Sequence, residues 1–233
     1  MNLDNAILEI NSKLIIKNYQ LIRKFTKSSY VGATIKADAY GLGADKIFKL
    51  LYKNGCNHFF VASLQEALSI RKKYFTSNLY VLNGLENNNL KIFYDNNIIP
   101  ILVSEKEIDK YSKSKYNNLN YKIGIHIDTG INRLGIDLKD LKLSITKRIN
   151  AYILISHLAS AEEFNNSYNK KQNNKFKSIF NMFKSVKFKS LANSAGIINN
   201  TDFHYNILRP GISLYGGYDN NKIKKLIKIN NVI

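Results

Sequence analysis

The sequence has 233 residues, of which 45% are hydrophobic and 22% are charged, a composition typical of a globular protein that buries a core. Its formal net charge is +18, from 35 basic and 17 acidic residues. The lysines are scattered among asparagines rather than gathered into an arginine-rich stripe, so we expect no nucleic-acid binding. A modest basic field that attracts small anionic ligands is the expected consequence of this charge.

Two further classes of protein are disfavoured by the sequence. No apolar run approaches the roughly 20 residues that a membrane-spanning helix needs, and the N-terminus lacks the basic-then-apolar layout of a signal peptide. The single cysteine, Cys56, cannot form an internal disulfide and is expected to be a small buried side chain beside Gly55. We therefore expect a cytoplasmic protein with no membrane partner.

The chain alternates between short apolar runs and helical patterns. After an opening segment (6–10) and an amphipathic helix (12–25), runs rich in β-branched and aromatic residues predict strands. These span 30–36, 58–63, 78–83, 98–104, 121–128, 151–157 and 188–194, and an eighth leads into 209–216. Apolar residues at helical spacing follow several of them, at 44–54, 63–74 and 173–186. Eight strands alternating with helices predict an α/β fold, a (β/α)8 TIM-type barrel, with reactive groups just beyond the strand ends.

A lysine closes the first predicted strand. Lys36 directly follows an apolar run, with Gly41 and Gly43 close behind it. Partial desolvation at the inner end of a barrel strand favours the neutral amine, which can form a Schiff base. Most lysines at strand ends simply reach to water, and Tyr40 alone is more often a packing residue than a ligand. Neither residue identifies a site by itself.

The fifth and sixth predicted strands also end in polar residues. Arg133 follows the fifth strand, where it could clamp a carboxylate with two hydrogen bonds, or pair with Asp128 or Asp137 as a structural ion pair. His157 follows the sixth strand, and a lone histidine there is more often a structural group than a catalyst. The other three histidines show no metal-ligand spacing with it, so no metal site is expected.

The last two predicted strands are followed by groups that suit an anion. Ser194 comes after the seventh strand, and Arg209 with the backbone amides of Gly211 and Ile212 comes at the eighth. Backbone amides in such a loop are good donors to an anion. A phosphate site after strands seven and eight recurs in this kind of barrel. Jointly, these residues place polar groups beyond five of the eight strands, a coincidence that packing alone does not explain.

Five motifs carry a resemblance to a known family. They are KADAYGLG (36–43), HIDTGINRLGI (126–136), SHLASAEE (156–163), ANSAG (192–196) and RPGISLYG (209–216). In this order and spacing the sequence resembles the alanine racemases, which are fold-type III pyridoxal-phosphate enzymes. The resemblance extends over essentially the whole chain.

The resemblance implies a role for each candidate residue. Lys36 would hold pyridoxal 5'-phosphate as a Schiff base and exchange the α-proton on one face of the substrate. His157 would lie against the pyridine ring, and Arg133 would hold the carboxylate of a small amino-acid substrate. The residues implied to hold the phosphate are Tyr40, Ser194, Gly211 and Ile212.

Arg209 would face the pyridine nitrogen. An arginine keeps its proton at neutral pH, so the nitrogen opposite it must act as the acceptor. The ring is then a weaker electron sink than one protonated by a carboxylate, which suits racemisation and disfavours transamination.

Members of this family carry an all-β domain after the barrel. That domain supplies a tyrosine, which acts as the base on the opposite face of the substrate. In the homodimer this tyrosine reaches the lysine of the other subunit. By this resemblance, residues 1–222 form the cofactor-binding barrel and 223–233 resemble the start of the second domain. Tyr215 and Tyr218 lie in or just after the last strand segment and are not expected to replace that base. We therefore expect racemisation by this chain to be impaired. We also expect formation of the homodimer to depend on the second domain.

Two functions follow from the sequence. The first is an alanine racemase that converts L-alanine to D-alanine for peptidoglycan synthesis. The alternative is a non-catalytic, single-domain protein that has the same barrel and binds pyridoxal phosphate. The motif around Arg133 favours the racemase, whereas a decarboxylase on the same barrel has no specific support.

Overall fold

The computed structural model describes residues 8–26, 29–86, 89–119, 121–141, 146–147, 149–183, 185–217 and 232. Its strands are β1 (Tyr30–Val31), β2 (Ala33–Thr34), β3 (His58–Val61), β4 (Asn78–Val81), β5 (Ile98–Leu102), β6 (Gly124–Asp128), β7 (Ile136–Asp137), β8 (Ile153–Ile155), β9 (Phe188–Ser190) and β10 (Ile207–Leu208). All eight predicted strands are present, although most are shorter than predicted because their ends turn into the loops that follow.

The strands form a closed parallel barrel. β2, β3, β4, β5, β6, β8 and β9 pair in that order, and β10 pairs with β1. An isolated parallel bridge between Asn193 and Arg209 joins the ends of β9 and β10. β1 and β2 are one strand that passes at Gly32 from β10 to β3, where a Cβ atom would lie 2.9 Å from the His58 carbonyl oxygen. The predicted (β/α)8 barrel is confirmed, and β7 is an unpredicted short strand beside β6.

Helices follow most of the strands, as predicted. They are α1 (Ser12–Phe25), α2 (Ala44–Lys53), α3 (Leu64–Arg71), α4 (Leu90–Asp95), α5 (Glu105–Ser112), α6 (Lys115–Asn118), α7 (Ser167–Ser178) and α8 (Ser194–Asn199). Short 3-10 turns cover Phe180–Met182, Thr201–Phe203 and Ile212–Tyr215. The helix predicted at 12–25 is confirmed, and both of its ends are as predicted. It begins at Ser12 because the side chain of Asn11 accepts a hydrogen bond from the Leu14 amide and caps the helix.

The helix predicted at 173–186 is wrong in its bounds. It begins at Ser167, where the Asn166 side chain accepts from the Tyr168 amide at 2.8 Å, and ends at Ser178. Its first turns are buried through polar side chains, so the apolar periodicity did not reveal them. One of these, Gln172, accepts from the Ala159 amide at 2.8 Å and donates to the His157 carbonyl at 3.0 Å.

The barrel interior is packed with side chains below the strand ends. Its inner cluster consists of large apolar residues from alternate positions of the strands, among them Phe60, Tyr80, Ile101, Ile155 and Phe188. A second, larger cluster lies between the outer face of the strands and the helices. The interior is therefore a solid core, as in other barrels of this type, and open space is left at the carboxyl ends of the strands.

Three further points concern Cys56, the domain boundary and membrane-spanning helices. Cys56 is buried and free, and burial raises the pKa of its thiol to about 12. The proposed boundary between 222 and 223 falls outside the described residues and stays a prediction. In the part of the chain that the structure covers, no helix has the length and apolar character needed to cross a membrane.

A buried arginine joins the amino-terminal ends of two strands, and we predict that its loss destabilises the barrel. Arg71 is 1% exposed and donates to the carbonyl oxygens of Tyr74, Ser77 and Asn97 at 2.7–2.8 Å. Arg71→Met leaves these acceptors unpaired and should lower the free energy of unfolding by about 2–4 kcal/mol in urea denaturation. The exposed neighbour Lys72→Met is the control, and equal stability of the two variants would contradict the prediction.

Candidate active site

A single cavity occupies the carboxyl end of the barrel. It has a volume of about 790 Å³, a size typical of small-molecule sites. All eight residues predicted from the sequence line it: Lys36, Tyr40, Arg133, His157, Ser194, Arg209, Gly211 and Ile212. The structure thus brings together groups that are up to 176 positions apart in the chain, while their individual roles stay predictions.

The cavity wall carries more positive than negative charge. Lys36, Arg133 and Arg209 line it, with Glu162 as the one acidic side chain among its lining residues. Such a wall favours ligands that carry phosphate or carboxylate groups.

Lys36 is followed by an unusual backbone conformation. Residues 37–40 all have positive φ, between 50° and 59°, and form a left-handed turn without a glycine. Each such residue costs roughly 1–2 kcal/mol because its Cβ approaches the carbonyl oxygen that follows. The turn is held by its surroundings: the Asp38 carboxylate accepts from the Ala44 amide at 2.6 Å, and the Asp38 carbonyl accepts from Gly43 at 2.9 Å.

The left-handed turn places Tyr40 beside the loop that follows β10. A Cβ atom at Gly211 would lie 2.4 Å from the Tyr40 hydroxyl, so glycine is required for this approach. The Ser194 hydroxyl, at the start of α8, accepts from the Gly211 amide at 2.9 Å and from the Ser213 amide at 3.2 Å. Hydroxyl and amide donors therefore converge on one end of the cavity, which is the chemistry that a phosphate group needs.

Arg209 lies at the floor of the cavity. Its guanidinium donates to the Ser190 hydroxyl, to the Ser156 carbonyl at 2.6 Å and to the Leu191 carbonyl at 3.4 Å. It also contacts His157 Nδ1 at 3.4 Å. Burial lowers the pKa of Arg209 to about 9, which still leaves the group charged at neutral pH.

His157 is held as a neutral ring. Burial, and then the charge of Arg209, lower its pKa well below the ordinary value. A guanidinium offers only donors, so the Nδ1 atom facing it acts as the acceptor and Nε2 carries the proton. A neutral, planar ring at the cavity wall can stack against a ligand without adding charge.

Arg133 is free of the structural pairing that the sequence left open. The Asp128 carboxylate instead accepts from the amides of Gly130 and Ile131, at 2.8 and 2.9 Å. Asp137 pairs with Lys139 at 3.4 Å. Among the described residues Arg133 forms no ion pair with either acid, and it is one of the residues that line the cavity.

His126 is a lining residue that the sequence analysis missed. It lies on the same side of β6 as Gly124, whose missing side chain faces Ile101 and Ile153 of the inner cluster. Both of its ring nitrogens are buried without a hydrogen-bond partner in the described part of the chain. Burial lowers its pKa to about 3, with a contribution from Arg209. Its sequence signal was a polar residue at an inward position near the end of a strand.

Three further polar residues of the lining were also missed. Thr34 ends β2, Asn83 follows β4, and Glu162 lies in the loop beyond β8. The expected absence of a metal site is not contradicted, since the described residues contain no cluster of three His, Cys, Asp or Glu side chains suited to an ion. Tyr215 does not line the cavity, and its buried hydroxyl donates to the Thr34 carbonyl at 2.9 Å.

The chain is similar to known proteins along almost all of its length. Residues 10–219 match the family described as alanine racemase, N-terminal domain. The chain is 42% identical to the alanine racemase of Rickettsia canadensis (strain McKiel) over 216 residues, covering 90% of this chain and 61% of that protein. It is 40% identical to that of Rickettsia africae (strain ESF-5), with the same coverage.

A solved structure is also similar. The alanine racemase of Bartonella henselae, with covalently bound pyridoxal phosphate, is 34% identical with a TM-score of 0.83, covering 89% of this chain and 62% of that one. The chain therefore spans about three-fifths of the length of these relatives. Since the family match covers residues 10–219 and the barrel places the motifs around one cavity, the chain belongs to the alanine racemase family through its N-terminal domain.

Proposed function

We propose that this chain is the cofactor-binding barrel of a pyridoxal-phosphate-dependent alanine racemase, which interconverts L- and D-alanine for peptidoglycan synthesis. The observation that carries the proposal is the convergence of Lys36, Arg133 and Arg209 with a cluster of hydroxyl and amide donors on one cavity. A Bartonella henselae relative holds pyridoxal phosphate covalently. The cavity has the volume and the charge for such a ligand.

The residues present fit the cofactor. The Lys36 amine would be the covalent attachment point for the cofactor aldehyde. Tyr40, Ser194, Gly211 and Ile212 would hold the phosphate, since the absence of a side chain at Gly211 leaves room for the Tyr40 hydroxyl and Ser194 already bonds to that loop. When bound, the cofactor supplies stabilisation of the negative charge that develops at the α-carbon.

The residues at the floor of the cavity would determine how strongly the bound cofactor withdraws electrons from the substrate. Arg209 would donate to the pyridine nitrogen without protonating it, since its pKa stays above neutral pH. Neutral His157 would pack against the ring, and its backbone carbonyl is held by a hydrogen bond from Gln172. An unprotonated pyridine nitrogen makes the cofactor a weaker electron sink, which would favour return of the proton to the α-carbon.

Arg133 distinguishes a racemase from a protein that only binds the cofactor. A guanidinium at the cavity wall that is not paired with Asp128 or Asp137 is suited to hold a substrate carboxylate with two hydrogen bonds. Lys36 then moves the α-proton on one face of the substrate. Tyr40, the one tyrosine among the cavity's lining residues, is assigned to the phosphate, so the second base belongs to the family's second domain. A homodimer and a cytoplasmic location form part of the same proposal.

We predict that Lys36→Ala abolishes the covalent link to the cofactor. The protein incubated with pyridoxal phosphate should be yellow, and borohydride reduction should fix the cofactor on Lys36, as read by peptide mass spectrometry. Lys36→Ala should lose both signals because Lys36 is the one lysine among the described residues that line the cavity. The exposed Lys53→Ala is the matched control, and an unchanged spectrum in Lys36→Ala would overturn the cofactor assignment.

We predict that Arg133→Ala weakens alanine binding by about 10–100-fold, the effect of losing a charge-assisted pair of hydrogen bonds. The measurement is the alanine-dependent change in the near-visible spectrum of the cofactor-loaded protein. Lys139→Ala, in the same region but paired with Asp137 at the surface, should leave the affinity unchanged. Equal affinities in the two variants would favour the non-catalytic alternative.

We predict that residues 1–233 alone racemise alanine slowly. In deuterium oxide they should exchange the α-proton of one enantiomer faster than they convert it to the other, because Lys36 serves only one face. Mass spectrometry and chiral chromatography measure the two rates, with Lys36→Ala as the blank. Rapid conversion in both directions would show that another residue of this chain acts as the second base.

A further inference from the structure

Glu66 reaches from a helix to the backbone beside Lys36. It is the third residue of α3, which begins after the capping residue Ser63. One carboxylate oxygen accepts from the Ala37 amide at 2.8 Å, and the other accepts from the Ala62 amide at 2.7 Å. Ala62 follows β3 and lines the cavity. A single side chain therefore ties the segment after Lys36 to the end of the neighbouring strand.

The Ala37 amide belongs to the peptide that joins Lys36 to the left-handed turn. A carboxylate bond to this amide fixes the orientation of that peptide plane, and so the direction in which the Lys36 side chain leaves the backbone. The backbone bond from the Ile35 amide to the Phe60 carbonyl, at 2.9 Å, secures the residue on the other side of the lysine. Lys36 is thus held from both sides, once by the barrel ladder and once by Glu66.

The same arrangement occurs elsewhere in the barrel without a lysine. Glu107 is the third residue of α5 after the cap Ser104, and its oxygens accept from Leu85 at 3.0 Å and Val103 at 2.8 Å. Both glutamates join the loop after one strand to the loop after the next. Glu107 therefore provides a matched control: its bonds are of the same kind, from a carboxylate to two backbone amides, but neither loop that it joins contains Lys36.

We propose that Glu66 is a positioning residue for Lys36, which keeps the lysine amine aligned for bond formation with the cofactor aldehyde. The proposal rests on the proposed function of Lys36. The left-handed turn is a strained segment, and without the bond from Glu66 its first peptide can relax towards more favourable backbone angles. Relaxation there moves the Lys36 side chain away from a geometry that the condensation requires.

The test compares Glu66→Ala with Glu107→Ala in the full chain. Alanine removes both acceptor oxygens, so each variant loses two bonds and a similar loss of stability is expected in thermal unfolding. Glu66→Ala should slow the rise of the near-visible absorbance on adding pyridoxal phosphate by about tenfold, whereas Glu107→Ala should leave this rate unchanged. Glu66→Gln keeps one acceptor oxygen, which can face either Ala37 or Ala62, and should slow the rise by no more than Glu66→Ala.

Amide hydrogen exchange in the cofactor-free protein gives a second readout. Exchange of the Ala37 amide should accelerate about tenfold in Glu66→Ala and stay unchanged in Glu107→Ala, while the Leu85 amide should show the reverse. Equal rates of cofactor attachment in Glu66→Ala and Glu107→Ala would overturn the proposal, whatever their stabilities. If the unmodified chain forms no link at Lys36, the proposed function fails instead. Unchanged Ala37 exchange in Glu66→Ala also overturns the proposal, even in that case.

Discussion

The buried guanidinium of Arg209 is the constraint on which the rest of the site depends. A charge removed from water is tolerated only where acceptors replace the lost hydration. The end of β9 and the residue after β8 supply those acceptors, through Ser190, Leu191 and Ser156. The backbone pairing of β9 with β10 is an isolated bridge, so side chains also join these strands: Arg209 bonds to Ser190, and the Ser190 hydroxyl donates to the Ile207 carbonyl. Arg209 therefore contributes both to the closure of the barrel and to the charge of the cavity floor.

The histidines around this charge carry none of their own. His126 and His157 both lie near Arg209, and burial together with that neighbour lowers the pKa of each. The two rings therefore add no positive charge beside Arg209, whose own pKa of about 9 leaves it charged at neutral pH. The cavity can thus offer neutral ring surfaces beside a fixed charge.

The sequence predicted most of the fold because its signals are local. Apolar runs marked all eight strands, and helical spacing with an Asn11 cap marked α1. Polar residues after the strands identified the cavity because parallel strands bring their carboxyl ends to one face. The start of α7 was missed because buried Gln172 bonds to loops remote in sequence, which no periodicity records. His126 was missed because its environment depends on barrel closure, and the closing bridge at Arg209 follows from tertiary packing alone.

The left-handed turn after Lys36 could not be predicted, since alanine and tyrosine disfavour positive φ and only Asp38 belongs to a type that tolerates it. Glycine at Ala37 or Ala39 would remove the steric cost of positive φ, yet it would also widen the range of shapes open to the segment. A substitution that relieves strain at Ala37 or Ala39 therefore also loosens the segment directly after Lys36. Stability of the fold and order beside the lysine are opposed at these two positions.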